Sequence, residues 1–113
     1  DAMTSYRITL LPGDGIGPEI TAVTRQLMDA VSRRHGFELV YDEQPMGGSA
    51  IDATGEPLPA STLEACKGAD AVLLAAIGSP QYDRLPHEHP SLQEMRLALA
   101  SLDSLPKSFE LFF

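Results

Sequence analysis

The chain has no tryptophan, one cysteine and only eight lysines plus arginines among its 113 residues. Each scarcity excludes something. A single cysteine, Cys66, rules out an internal disulfide and fits a reducing compartment, so a cytoplasmic setting is expected. Eight basic residues against sixteen acidic ones give a net charge of -8 and a pI near 4.6. No nucleic acid or anionic membrane partner is therefore expected, because such partners need a basic face. The longest apolar run, Ala71 to Ile77, falls far short of the roughly 20 residues that cross a bilayer. No signal-peptide pattern is visible. What remains is 43% hydrophobic and well patterned, enough for one folded domain with a core and too little for two. Asp1 and Ala2 precede Met3 and are set aside from the fold reading.

Tyr6 to Leu11 reads as a buried strand that ends in Pro12. Gly13, Gly15 and Gly17 follow at alternate positions, and Pro18 and Glu19 then open an amphipathic helix. Glycines at this spacing let the backbone turn sharply and approach a ligand closely. Proline suits a first helical position, and an acid there complements the helix dipole. The dinucleotide fingerprint of doubly wound folds is G-x-G-x-x-G. Here the third glycine arrives one residue early, so that fingerprint is absent. On residues alone the loop reads either as a tight strand-to-helix turn or as an anion or nucleotide contact. Amides at a helix start favour anions, but Pro18 offers no donor and Glu19 repels them.

From Pro18 to His35, Ile20, Val23, Leu27 and Val31 recur at helical spacing, which marks the expected core-facing stripe. Arg33, Arg34 and Gly36 are stop signals. Phe37 to Tyr41 makes a second strand, completing a strand-helix-strand unit suited to a parallel crossover. Gln44 to Pro59 reads as an ordered loop with a short helical turn around Gly47 to Ala50. Ala60 to Lys67 is a short helix, in which Ser61 and Glu64 have capping-box spacing but Pro59 sets an equally good start. Ala69 to Ile77 is a strand buried on both faces, Gly78 to Pro90 a loop, and Leu92 to Leu102 a helix. The expected fold is α/β, a three-layer fragment around a mainly parallel sheet of three strands, in one partial domain over 3–113. His35, His87 and His89 read as solvated loop histidines, Cys66 as a small core residue, and no metal-ligand set is expected.

Several of these stretches occur together in one known family. They are Leu11 to Glu19, Gly47-Gly48-Ser49-Ala50-Ile51-Asp52-Ala53-Thr54-Gly55-Glu56-Pro57-Leu58-Pro59, Thr62-Leu63, Cys66, Asp70 to Leu74 and Gly78-Ser79-Pro80. Up to about Pro86 the chain resembles the start of the 3-isopropylmalate dehydrogenase family. That family is the leucine-biosynthesis branch of the isocitrate/isopropylmalate dehydrogenases. The resemblance implies oxidation and decarboxylation of 3-isopropylmalate with NAD, assisted by Mg²⁺ or Mn²⁺ as a Lewis acid. It implies that Ile16 lies near the nicotinamide and that Ser79, Pro80, Gln81, Tyr82 and Asp83 border the cofactor. It also assigns Asp52 and Glu56 to a structural loop.

The resemblance breaks near Pro90. Where the family carries a Pro-Glu pair, this chain has Pro90-Ser91. Arg96 stands in for the first of two arginines that clamp substrate carboxylates, though closer to Pro90 than the family spacing. Leu105-Pro106-Lys107 falls where the second would be, and lysine does not reproduce a bidentate guanidinium fork. The family's catalytic tyrosine and lysine and its metal-binding aspartates fall beyond Phe113. No catalytic or metal-binding residue is therefore expected here, and the chain alone is expected to be inactive. Segment 3–90 is family-like and 91–113 divergent, the pattern of a truncated or frame-altered coding sequence or of a gene piece rebuilt for another role. Three strands leave two open edges, and Ser108 to Phe113 is an apolar tail. A homo-oligomer is expected, formed through a sheet edge and residues 92–113. Two other readings stand beside the dehydrogenase one: a non-catalytic, self-associating assembly module, and a residual dinucleotide-binding module.

Overall fold

The computed structural model describes residues 4–77, 90–103 and 108–110. The chain runs β1 (Thr4–Gly13), α1 (Gly17–His35), β2 (Phe37–Glu43), α2 (Gly48–Thr54), α3 (Ala60–Gly68), β3 (Ala71–Ala76), α4 (Pro90–Asp103) and β4 (Ser108–Glu110). The strands form one sheet in the order β2-β1-β3-β4, and every pairing is parallel. The β1–β2 connection runs one way along the sheet, and the β2–β3 connection runs back the other way past β1. Right-handed connections then place α1 on one face and α2–α3 on the other, which produces the three layers.

The fourth strand corrects the count of three. Ser108 lies opposite Val72 and Glu110 opposite Leu74, so the start of the apolar tail completes this chain's own sheet on the β3 side. Three residues carry no readable alternation, and parallel pairing has no hairpin turn to announce it.

Strand alternation sorts the core. Leu11, Val72 and Leu74 share one face and pack with Met46, Cys66 and Ala98. Thr9 also sits on that face, where its Oγ1 donates to the Ala65 carbonyl of α3 at 3.2 Å. At the other end of the strands, the Arg7 amide donates to Asp70 Oδ2 and the Asp70 amide returns a bond to the Arg7 carbonyl, both at 2.8 Å. This reciprocal pair fixes where β3 enters beside β1. The α3 start follows Pro59, with no side-chain cap, so the Ser61–Glu64 spacing makes no capping box.

Helix α1 is turned over relative to its sequence pattern. Its buried residues are Gly17, Thr21 and Ser32, while Val23 and Leu27 are 64% and 65% exposed and Val31 is exposed too. The buried hydroxyls are satisfied within the helix, Thr21 Oγ1 on the Gly17 carbonyl and Ser32 Oγ on that of Asp29, so burying them costs little. Contacts to β2 fix the rotation. Tyr41 Oη donates to Asp29 Oδ1 at 2.7 Å, and the Arg25 guanidinium lies 4.3 Å above the Tyr41 ring. Gly36, left-handed at φ 73, closes the helix through its N–H on the Ser32 carbonyl. Among the described residues no helix is long and apolar enough to cross a membrane.

Candidate functional site

Because β2 and β3 flank β1 on opposite sides, the carboxyl ends of β1 and β3 form a topological switch point. In open parallel α/β sheets, that is where a ligand crevice opens. The Gly13–Gly17 loop stands at this point. Gly13 and Gly15 are left-handed, with φ 70 and 56, and a Cβ on Gly13 would collide with the Ala76 carbonyl. A Cβ on Gly17 would meet the Pro12 carbonyl. The Asp14 amide donates to the Ala76 carbonyl at 2.9 Å, and the Gly17 amide to the Asp14 carbonyl at 2.8 Å. Thus the loop is stitched to the end of β3 and folded back on itself before α1 begins.

Asp14 holds the other side. Only 6% exposed, its carboxylate accepts from the Gly48 amide through Oδ2 and the Ser49 amide through Oδ1, each at 2.7 Å. These are the first amides of α2, whose own N-cap, Gly47, supplies no side-chain cap. Asp14 therefore caps a helix that starts 34 residues later in the chain, with a charge suited to a helix N-terminus. Gly47 is left-handed at φ 82, and a Cβ there would come within 2.6 Å of Asp14 Oδ2. Ser49 Oγ lies within hydrogen-bond distance of the Gly13 carbonyl at 3.1 Å and the Met46 carbonyl at 3.2 Å, which share its single hydrogen. The sequence signal for this clamp was the Gly47-Gly48-Ser49 run. Asp14 carries no such signal, because nothing local links it to α2.

Ile16 is the N-cap residue of α1 and is half exposed. It borders a shallow depression of about 380 Å³ shared with Glu19, Ile20, Val23 and Thr24. The loop suits an apolar ring better than a phosphate. Its Gly17 amide is already bonded, Pro18 has no N–H, and the exposed Glu19 repels anions. Ser79, Pro80, Gln81, Tyr82 and Asp83 lie outside the described residues, as do His87 and His89. The strand before them, β3, ends at Ala76 in register with Gly13, at the same end of the sheet as Ile16.

Arg96 lies exposed on α4. A groove of about 560 Å³ runs between α4 and the Gly55–Leu58 turn, and its α4 lining is Glu94, Leu97, Ala98 and Ser101, without Arg96. Asp52 and Glu56 are exposed on α2 and the turn after it, His35 ends α1 exposed, and Cys66 is fully buried. Among the described residues, no group of three or more His, Cys, Asp or Glu is placed to hold a metal ion. These residues do not by themselves fit the divalent cation that the resemblance implies.

Comparison with known proteins agrees with this arrangement. The chain is 76% identical over 86 residues to a 3-isopropylmalate dehydrogenase of Synechococcus sp. (strain CC9902), a match covering 76% of this chain and 24% of the relative. A second, from Synechococcus sp. (strain CC9605), is 77% identical over the same span. The matched region is the N-terminal portion of these enzymes, so the chain spans about a quarter of the length of the curated relatives it matches. Among solved structures, a β-decarboxylating dehydrogenase from Thermococcus kodakarensis superposes with a TM-score of 0.65 at 28% identity, covering 87% of this chain and 27% of that one. An isocitrate dehydrogenase from Methylococcus capsulatus gives 0.59 at 32% identity over 66% of this chain and 21% of its own. The family model for isocitrate/isopropylmalate dehydrogenases matches residues 7–113, past Pro90 and through β4. The switch-point loop, the Asp14 clamp and these matches point the same way: the chain belongs to the isocitrate/isopropylmalate dehydrogenase family.

Proposed function

We propose that the chain is the cofactor-facing, N-terminal part of an NAD-dependent 3-isopropylmalate dehydrogenase. The observation that carries this reading is the 76–77% identity to two curated enzymes of that activity. The half-exposed Ile16 at the switch point supports it. In this reading Ile16 offers an apolar shelf to the nicotinamide, and Asp14 sets the height of that shelf by tying the loop to α2. NAD, when bound, supplies the hydride acceptor. The divalent metal of the family is not held by the described residues, so none of them is given a role in its chemistry. Arg96 keeps the role of substrate-carboxylate contact only as part of this proposal.

Calorimetric titration of the 113-residue chain with NAD, with and without Mg²⁺ and 3-isopropylmalate, tests the reading. Saturable heat that Ile16→Asp abolishes is expected, because a carboxylate on the shelf desolvates poorly against a ring. No heat at millimolar NAD would overturn the assignment of the loop as a cofactor contact.

A further inference from the structure

The depression beside the switch point holds charge of one sign. Ile16, Glu19, Ile20, Val23 and Thr24 line it, and Glu19 is the charged side chain among them. Ile16 is the N-cap of α1 and Glu19 stands three residues on, in the first turn. Side chains at that spacing share a face, with Cβ atoms about 5–6 Å apart. Both are exposed. Arg25, the first basic residue along α1, lies 4.3 Å above the Tyr41 ring of β2, so it is committed to the sheet side of the helix. Asp14 is spent on the Gly48 and Ser49 amides.

On the reading of Ile16 as the nicotinamide shelf, we propose that Glu19 is a specificity-determining residue that favours the oxidised ring of NAD over the reduced one. The oxidised ring is a pyridinium and carries a positive charge. On accepting a hydride, a proton with two electrons, it becomes a neutral dihydropyridine. The riboses and pyrophosphate do not change, so the repulsion of the phosphates by Glu19 is common to both forms and cancels in their ratio. Two fields of opposite sign act on a ring at Ile16. The start of α1 presents about half a positive charge, which disfavours the pyridinium. That field is blunted here, because Pro18 has no N–H and the Gly17 amide is bonded to the Asp14 carbonyl. Glu19 presents a whole negative charge at similar range, so the sum favours the oxidised ring. Through water at about 6 Å, a unit pair is worth a factor of about three in affinity. At the rim, Glu19 keeps its hydration and loses none of this to desolvation, unlike a carboxylate placed under the ring by Ile16→Asp. The attraction ends when the hydride arrives, so the reduced cofactor is held less tightly than the oxidised one it came from.

Calorimetric titrations of the 113-residue chain with NAD and, separately, with NADH test the assignment. Wild type is expected to bind the oxidised form about threefold more tightly. Glu19→Gln should bring the two affinities to parity or reverse their order, and Glu19→Asp should keep the preference. A carboxylate that serves only the dipole of α1 changes helix stability without telling the two redox forms apart, so the ratio separates specificity from a structural role. Raising the salt from about 0.01 M to about 1 M shortens the Debye length from about 30 Å to about 3 Å and should draw the wild-type ratio toward one. Equal affinity of wild type for the two forms, a preference for NADH, or a preference for NAD that Glu19→Gln leaves unchanged would overturn the proposal while leaving Ile16 as the shelf. No heat with either form would overturn the shelf itself, and the role of Glu19 with it.

Discussion

A carboxylate that is nearly buried must recover its lost hydration from fixed donors, and Asp14 recovers it from two amides that would otherwise be unpaired at the start of α2. Each bond is charge-assisted and sheltered, so the pair outweighs an exposed ion pair such as Lys67–Glu64, which is worth little. Asp14→Ala is expected to lower unfolding free energy by about 2–3 kcal/mol, read as a lower urea midpoint. Asn keeps one acceptor oxygen but turns an amide NH₂ toward the second backbone donor, so it should recover at most half of that loss. A full rescue by Asn would show that the charge has no part in the clamp. The sequence made the loop glycines legible because a left-handed or crowded position accepts little else. It hid the clamp because the partner amides begin 34 residues away and backbone amides leave no mark in a sequence.

At the scale of elements, α1 is held to β2 by Tyr41, Asp29 and Arg25 rather than by its apolar stripe. Burial, the Asp29 hydrogen bond and the Asp29 charge push the Tyr41 phenol up from 10.0 to about 12, against a smaller lowering by Arg25. The folded chain thus holds this proton more tightly than the unfolded one. The stability that follows is fully present below pH 10 and is lost as pH rises through about 12. Tyr41→Phe removes both the hydrogen bond and the titration, at a cost of about 1 kcal/mol near neutral pH. The melting-point advantage of wild type over Tyr41→Phe should therefore shrink as pH climbs from 10 toward 12, and a constant gap would refute the link. The periodicity of α1 announces a helix, and the helix is there. Spacing carries no information about which layer a face meets, so a stripe expected to face this sheet stands exposed instead. The Tyr41 contact that sets the true rotation pairs two polar residues with an aromatic one, a combination that hydrophobic spacing does not register.

For the whole molecule, the proposed reading as one quarter of a dehydrogenase raises the question of which parts of a hydride-transfer site these residues would supply. The described residues supply a switch-point crevice, a stitched loop and an exposed apolar shelf. They do not bring together a metal-ligand group, and the family resemblance puts the proton-transferring tyrosine and lysine outside the chain as well. General acid-base catalysis contributes roughly 10²–10⁴-fold, and a Lewis-acid metal adds several kcal/mol of charge stabilisation. On the proposed reading the chain would retain ring contact and loop geometry alone, which is ground-state binding and lowers no barrier unless it strengthens in the transition state. The isolated 113 residues, given NAD, Mg²⁺ and 3-isopropylmalate, are accordingly expected to form NADH no faster than a protein-free blank, even where calorimetry shows the cofactor bound. A rate above the blank that Ile16→Asp abolishes would mean that these residues carry a base and a charge stabiliser of their own, and the division of labour argued here would have to be redrawn around them.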